Sequence, residues 1–415
     1  MRRQMQHINI RAVMMCVCAL IFIPPTIVSV VLVIIDSLRK HLRSQGHFVS
    51  LRNEPSVPVT DTEVQLYTYG NDLYTVMLDA IEHAQKRILF ETFIWKGDLL
   101  GNRFKQALTD AAHRGVDVYV IYDEFANLVV PSSFFQFDPA IHVMRYPWIS
   151  FPFIPFQLKT YARDHRKVLV VDDEISFIGG YNIGDAYARE WRDTHARLIG
   201  PGTLEVENSF VDFWNAHKDK SQVTLSDLRK RDWNTNLSVH RNDPKLLSFP
   251  IRSIYLESID RSLKSFYLTN AYFIPDRAIL QSLISAARRD VDVRVLVPEV
   301  SNHIIADWLS HGYYTECLKG GLRLFLYQDA MIHAKTATAD SIWSTVGTAN
   351  MDRLSMVGNF EVNVEIYSEN VAQQMEKIFD FDSSRARELT LEAWEKRPFY
   401  WKIAERMLYT FRPLF

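Results

Sequence analysis

Cysteine is nearly missing from this 415-residue chain: there are three, two of them (Cys16 and Cys18) inside an apolar run. They cannot form a disulfide framework, so the fold does not depend on an oxidising compartment, and Cys317 reads as a small buried hydrophobe. No C-x-x-C or H-E-x-x-H occurs, and His195, His303 and His311 have no partner at metal-ligand spacing, so neither a metal nor a cofactor is expected. Charge of one sign is also lacking. Lys and Arg number 47 against 49 Asp and Glu, a formal net charge of -2, which leaves no basic footprint for nucleic acid.

What the chain does have is an echo. His165-Arg166-Lys167 with Asp172 and His333-Ala334-Lys335 with Asp340 both read H-x-K-x4-D. Counting from each histidine, a glycine follows fourteen residues on (Gly179, Gly347), an asparagine seventeen on (Asn182, Asn350) and a carboxylate twenty-eight on (Asp193, Glu361). Self-similarity on this scale means a fused pair of like halves. Such a pair buries the same surface from each copy and faces one shared cleft. Each half then gives that cleft a histidine, a lysine and an asparagine. The guest that suits them is a tetrahedral anion, and two imidazoles on opposite sides suit in-line displacement at phosphorus. One neutral histidine attacks while the other, protonated, delivers a proton to the departing oxygen, so the two titrate as a coupled pair.

Taken in order, residues 13–35 (Val13 to Ile35) hold no charge and are long enough to cross a bilayer. Pro24 and Pro25 would kink such a helix, which a membrane tolerates. A cleaved signal peptide is disfavoured because Asp36-Ser37-Leu38-Arg39 offers no small-x-small site. Basic residues flank both ends and do not settle orientation. The first half begins near Val64 with a strand and a helix through Leu78, Ile81 and Ala84. A strand from Arg87 to Trp95 follows, then a helix from Leu99 to His113 stopped by Gly115, then a strand over Val116 to Tyr122. The second half repeats this with Phe266 to Ile274, Ile279 to Arg289 and Val291 to Val297, so each half is an α/β layer.

Lys167 and Lys335 lie two residues from their histidines, which in an extended strand sets both side chains on one face, as a phosphate needs. Asp172 and Asp340 stand at the far end of that strand. Asp193 and Glu361 are better placed to orient His165 and His333, since a carboxylate on one ring nitrogen fixes the tautomer. The bland alternative for Asp193 is an ion pair with Arg192 or Arg197. Asn182 and Asn350 follow glycines, where backbone approaches an anion closely. Asp172-Asp173-Glu174 reads as a turn rather than an ion site.

The repeated motif resembles the phospholipase D superfamily. The surrounding words, Phe90-Glu91-Thr92-Phe93-Ile94-Trp95, Gly179-Gly180-Tyr181-Asn182, Trp191-Arg192-Asp193-Thr194-His195, Tyr272-Phe273-Ile274-Pro275, Gly347-Thr348-Ala349-Asn350-Met351-Asp352 and Asn359-Phe360-Glu361-Val362-Asn363, are similar to those of bacterial cardiolipin synthases. One departure stands out: the family usually has an arginine two residues after the aspartate that follows Asn350, and here Arg353 comes one residue early and Leu354 takes its place. With the uncharged run read as an N-terminal transmembrane helix and the non-periodic polar stretches as boundaries, the chain divides into an anchor and tether at 1–60, a first domain at 61–215, a charged surface linker at 216–245 and a second domain at 246–415. The resemblance, which covers roughly residue 60 to the C-terminus, implies two pseudo-symmetric α/β sandwich domains sharing one cleft.

It further implies His165, Lys167, Asp172, His333, Lys335 and Asp340 as the catalytic set, with the two lysines, Asn182 and Asn350 on the phosphate. In the motif's own architecture Asp172 and Asp340 mainly hold backbone together. The implied reaction moves a phosphatidyl group from one phosphatidylglycerol to another through a phosphohistidine, releasing glycerol. The nucleophile is assigned to His165 and the acid, later base, to His333, with the reverse left open by the symmetry. A phospholipase D-type hydrolase, a nuclease and a silent lipid-binding protein are the alternatives. Membrane lipids are the partners, nucleic acid is not, the oligomeric state is undetermined, and the catalytic part faces the cytoplasm from a bacterial inner membrane. The aromatic stretch Tyr146 to Phe156 and the C-terminal stretch Trp394 to Phe415 are candidates for lipid contact.

Overall fold

The structure, a computed structural model, describes residues 23–38, 48–49, 51, 54–149, 160–226, 235–328, 330–409 and 412. The first half contributes β1 (Val57–Val59), β2 (Thr62–Tyr67), β3 (Arg87–Thr92), β4 (Asp117–Asp123), β5 (His142–Tyr146), β6 (Val168–Val171), β7 (Ile175–Gly179), β8 (Trp191–Arg192) and β9 (His195–Ile199). The second contributes β10 (Leu237–Asn242), β11 (Ser265–Asn270), β12 (Asp292–Pro298), β13 (Arg323–Tyr327), β14 (Met331–Ile332), β15 (Lys335–Ala339), β16 (Trp343–Gly347), β17 (Glu361–Tyr367) and β18 (Ala386–Leu389). Sixteen of them build two eight-stranded sheets, ordered β1-β2-β9-β7-β6-β3-β4-β5 and β10-β17-β16-β15-β11-β12-β13-β18, and β8 pairs with β14. Read inward from the ends, β9-β7-β6-β3-β4-β5 and β17-β16-β15-β11-β12-β13 have the same order, so the duplication seen in sequence is a duplication of topology.

Local chemistry explains the shared elements. The helix Leu99–His113 starts at Asp98, which accepts from Gly101 N, and its counterpart Arg277–Arg288 starts at Asp276, which accepts from Ala278 N and Ile279 N. Both end where the chain must turn left-handed, at Gly115 (φ 91) and Asp290 (φ 66). Each helix is followed by a strand rich in β-branched residues, β4 or β12, parallel to the strand before the helix.

The sheets are covered on both sides. Alternation along β6 sends Val168 and Val170 into a core shared with Val346, Val362 and Val364 of the second sheet, while Leu169 and Val171 join the helices of the first half. Phe210 and Trp214 from the helix Thr203–His217 complete the shared layer.

Asp172 and Asp340 act far from the chemistry. The Asp172 carboxylate accepts from Gln85 N and Lys86 N at 2.7 Å and from Arg87 N at 3.0 Å. Asp340 repeats this with Leu263 N at 2.8 Å, Lys264 N at 2.7 Å and Ser265 N at 2.9 Å. Both residues have positive φ (54 and 53), a conformation Asp tolerates. Each clips the end of the strand that follows its histidine to the start of the neighbouring strand, so their place in the catalytic set is corrected to a structural one. Asp172→Ala is expected to lower unfolding stability by about 2 kcal/mol, read from the denaturant midpoint, with turnover per folded molecule retained.

Three other expectations change. Residues 13–22 of the apolar run lie outside the described residues, and among the described residues no helix is long and apolar enough to cross a membrane. The expected transmembrane helix is therefore not supported; the helical residues 23–38 instead pack Leu32 and Val28 against the second-half core. The 216–245 connection is not all surface loop, because Leu237–Asn242 joins the second sheet along β17, where it supplies ladder partners to every residue from Glu361 to Ile366. Its basic stretch Arg229 to Asp232 lies outside the described residues, as do residues 150–156 of the aromatic stretch. Near the C-terminus Trp394 is buried and donates from Nε1 to Thr315 Oγ1 at 3.0 Å, so packing claims at least that end.

Candidate active site

Two backbone bridges between the halves place the chemistry. β8 runs parallel to β14, and His333 N donates to Arg192 O at 2.6 Å. Asp193, next in the chain, is thereby set beside His333, with Oδ2 2.6 Å from the ring Nδ1. The other copy does the same: Asp164 bridges Phe360 in parallel, and His165 N donates to Phe360 O at 3.1 Å. Both Glu361 oxygens then lie 3.0 Å from His165 Nδ1. The carboxylates singled out by their spacing do contact the imidazoles, and the pairing is crosswise: each histidine is held by the carboxylate of the other half. Arg192 is engaged elsewhere, with Asp382 at 2.6 Å, and Arg197 donates to Gln65 Oε1 at 2.6 Å, which disposes of the simple ion pair for Asp193.

With Nδ1 held, Nε2 is the atom each ring has for chemistry. Both imidazoles line a single cavity of about 580 Å³ together with Asn182 and Asn350. Phe93 meets His165 edge-on with ring centres 4.7 Å apart, and Trp191 meets His333 at 5.2 Å. Asn182 accepts from Ile94 N at 3.1 Å through Oδ1, which leaves its NH2 as the group to face an anion. Glycine at 180 has a specific reason: a Cβ there would fall 2.1 Å from Asp193 Oδ1. The close approach required is thus to the orienting carboxylate.

Lys167 and Lys335 are buried beside the rings and are not among the residues lining the cavity. Lys167 Nζ donates to His165 O at 2.6 Å, and Lys335 Nζ donates to His333 O. Burial pushes Lys167 down to about 7 and Lys335 down to about 8, against the pull of Glu361 and Asp193. Burial and the two lysines hold His165 well below the ordinary imidazole value, and burial with Lys335 takes His333 down to about 3 although Asp193 pulls the other way.

The two carboxylates differ. Burial pushes Glu361 up to about 8 despite Lys167 and the Thr348 hydroxyl. Burial also raises Asp193, but Lys335, the His333 contact and the Thr194 N–H at 2.7 Å outweigh it and hold the carboxyl below its usual range. At neutral pH the His165–Glu361 dyad therefore carries one more proton than the His333–Asp193 dyad.

The rest of the cavity wall was only partly visible in sequence. Leu354 lines it where the resemblance expected an arginine, and Arg353 is exposed and outside it. Arg163, Tyr272, His303 and Asp352 also line it, and burial pushes Asp352 up to about 7. Among the described residues no three His, Cys, Asp or Glu side chains converge to hold a metal.

Both halves match the family described as cardiolipin synthase, PLD-like domain, over residues 77–214 and 255–382. The chain belongs to that family. It is 31% identical over 382 residues to a cardiolipin synthase of Clostridium perfringens, covering 88% of this chain and 80% of that protein. Against a cardiolipin synthase of Listeria welshimeri it is 32% identical over 383 residues, covering 88% and 78%. The crystal structure of phosphatidylserine synthase from Haemophilus influenzae Rd KW20 matches with a TM-score of 0.65 at 16% identity, over 85% of this chain and 93% of that one, a likeness of fold. The family resemblance carried by the duplicated motif is thus borne out over most of the chain.

Proposed function

We infer that the chain is a phosphatidyltransferase that makes cardiolipin from two molecules of phosphatidylglycerol. The observation that carries this reading is the pair of crosswise-held imidazoles facing one cavity, one from each half. The proton count of the dyads favours His333 as nucleophile and His165 as acid, the reverse of the assignment read from sequence. An ionised Asp193 on Nδ1–H keeps the lone pair of His333 Nε2 available. The extra proton of the other dyad moves onto His165 when the phosphodiester brings its negative charge into the cleft.

His333 Nε2 then attacks phosphorus, the bond from phosphorus to the glycerol oxygen breaks, and His165 gives its proton to that oxygen. In the second step a hydroxyl of another phosphatidylglycerol gives its proton to His165, its oxygen attacks phosphorus and the P–N bond breaks. Lysine charge and the Asn182 and Asn350 amides stabilise the phosphoryl oxygens.

Transfer rather than hydrolysis requires water to stay out. In support, much of the cavity wall is apolar, with Ile274, Ile304, Ile305 and Leu354. A bilayer is the source of both substrates. The helical residues 23–38 expose Ile23, Ile27, Val30 and Ile34 and bring Val33 to the cavity, while the helix Phe399–Leu408 exposes Phe399, Tyr400 and Ile403. Leu32 and Leu408 belong to one core, which puts both apolar surfaces on the same half.

The test is product analysis on the purified full chain with labelled phosphatidylglycerol: cardiolipin and glycerol in equal amounts are expected. Phosphatidic acid as main product would replace transfer by hydrolysis, and no turnover would leave a lipid-binding protein. A pH profile checks the acid. Below about 8 the Glu361 dyad keeps its proton and above it the proton is lost, so kcat/KM falls on the alkaline side with an apparent pKa near that value. Glu361→Gln, whose neutral amide does not stabilise an imidazolium, should move this limb to lower pH. An unmoved limb would assign the proton elsewhere.

A further inference from the structure

Cardiolipin formation brings two phosphates into one cavity: the phosphoryl group being transferred and the intact phosphodiester of the acceptor lipid. The two motifs account for the first. The second lies one glycerol bridge away and needs a cation of its own.

The extended segment that carries His165 supplies one. The parallel bridge at Asp164, with Phe360 N donating to Arg163 O at 2.9 Å and His165 N to Phe360 O at 3.1 Å, keeps residues 163–165 extended. Alternation sends Asp164 and Arg166 into the core, where they pair at 3.1 Å, and leaves Arg163 and His165 facing the cavity that both line. Two residues of extended chain advance about 6.6 Å, which is close to the span of a glycerol bridge between two phosphates.

The guanidinium of Arg163 is held in place but not used up. Nε donates to Tyr161 O at 2.8 Å, Nη1 is 3.4 Å from Pro147 O and 3.9 Å from Asp123 Oδ2, and the Phe125 ring lies 5.4 Å away. Among the described residues Nη2 is buried with no hydrogen-bond partner. At the matching position of the second half, two residues before His333, stands Met331. The site is symmetric in its dyads and asymmetric in this one cation.

Resting on the reading above, we propose that Arg163 binds the phosphodiester of the acceptor phosphatidylglycerol and so selects an anionic lipid over a neutral alcohol or water. This puts the acceptor on the His165 side, where its hydroxyl proton is taken up.

The test compares two reactions of the full-length chain in phosphatidylglycerol vesicles: formation of cardiolipin, and exchange of labelled glycerol into phosphatidylglycerol. The second uses the same donor and intermediate with an acceptor that has no phosphate. Arg163→Gln should lower the ratio of cardiolipin formation to glycerol exchange by about tenfold, and Arg163→Lys, which keeps the charge but loses the fork, by about threefold. A wild-type ratio in Arg163→Gln overturns the proposal, and if that variant exchanges no glycerol, a wild-type ratio in Arg163→Lys does so. Loss of exchange in both variants also overturns it, by assigning Arg163 to the scissile group or to the fold. The unmodified chain keeps the two claims apart: failure of that chain to make cardiolipin counts against the proposed function, not against Arg163.

Discussion

His333→Ala is expected to lower the rate of cardiolipin formation by about 10⁵-fold or more, because it removes the atom that bonds to phosphorus. His165→Ala is expected to cost about 10³-fold with glycerol as leaving group, the loss of a positioned acid. The two variants should then part company on a phosphatidyl donor whose leaving group is p-nitrophenol. That group departs without a proton, so His165→Ala recovers most of its first step and releases a burst of p-nitrophenol, while His333→Ala stays inactive. The opposite pattern would restore the assignment made from sequence. Both imidazoles have the same offsets, fold environment and kind of partner, and they differ in the carboxylate. Asp193 is ionised by Lys335 and Thr194 N–H, whereas buried Glu361 keeps its proton to about 8.

The second large effect belongs to Asp193→Asn. An asparagine there keeps the size of the side chain but stops holding Nδ1–H, so His333 spends its time with the proton on Nε2 and cannot attack. We expect kcat to fall by about 10² to 10⁴-fold with KM changed little, and Asp193→Glu to regain part of the loss. A drop in KM and kcat together, or a loss of folded protein by circular dichroism, would mean that Asp193 serves packing. The partner residue lies 140 positions along the chain, so the experiment also tests whether the halves depend on each other.

Much of this site was legible because duplication marks residues that packing alone would not repeat. The offsets to Asn182 and Asn350, and to Asp193 and Glu361, singled out side chains that the fold brings to the two imidazoles or to the cavity beside them. Strands such as β4 and helices such as Leu99–His113 were legible because period 2 and period 3.6 are written in their apolar residues. Crosswise pairing was not legible. It depends on β8 meeting β14 and on Asp164 meeting Phe360, contacts made by backbone, which leaves no mark on residue type. Strand β10 was missed because it lies at a sheet edge in a charged stretch and its apolar alternation stops after Leu237 and Val239. Arg163 was missed for the opposite reason: the duplication draws attention to what recurs, and Arg163 has no counterpart.

The most direct test is to find where, and how many times, the chain is phosphatidylated. Full-length protein would be mixed with phosphatidylglycerol labelled in its phosphate, quenched within a single turnover and mapped by mass spectrometry. One label per chain, carried by His333 alone, is the result expected if both halves grip a single phosphodiester. Two labels per chain, one on each of His165 and His333, would mean two independent sites and would contradict the shared cleft.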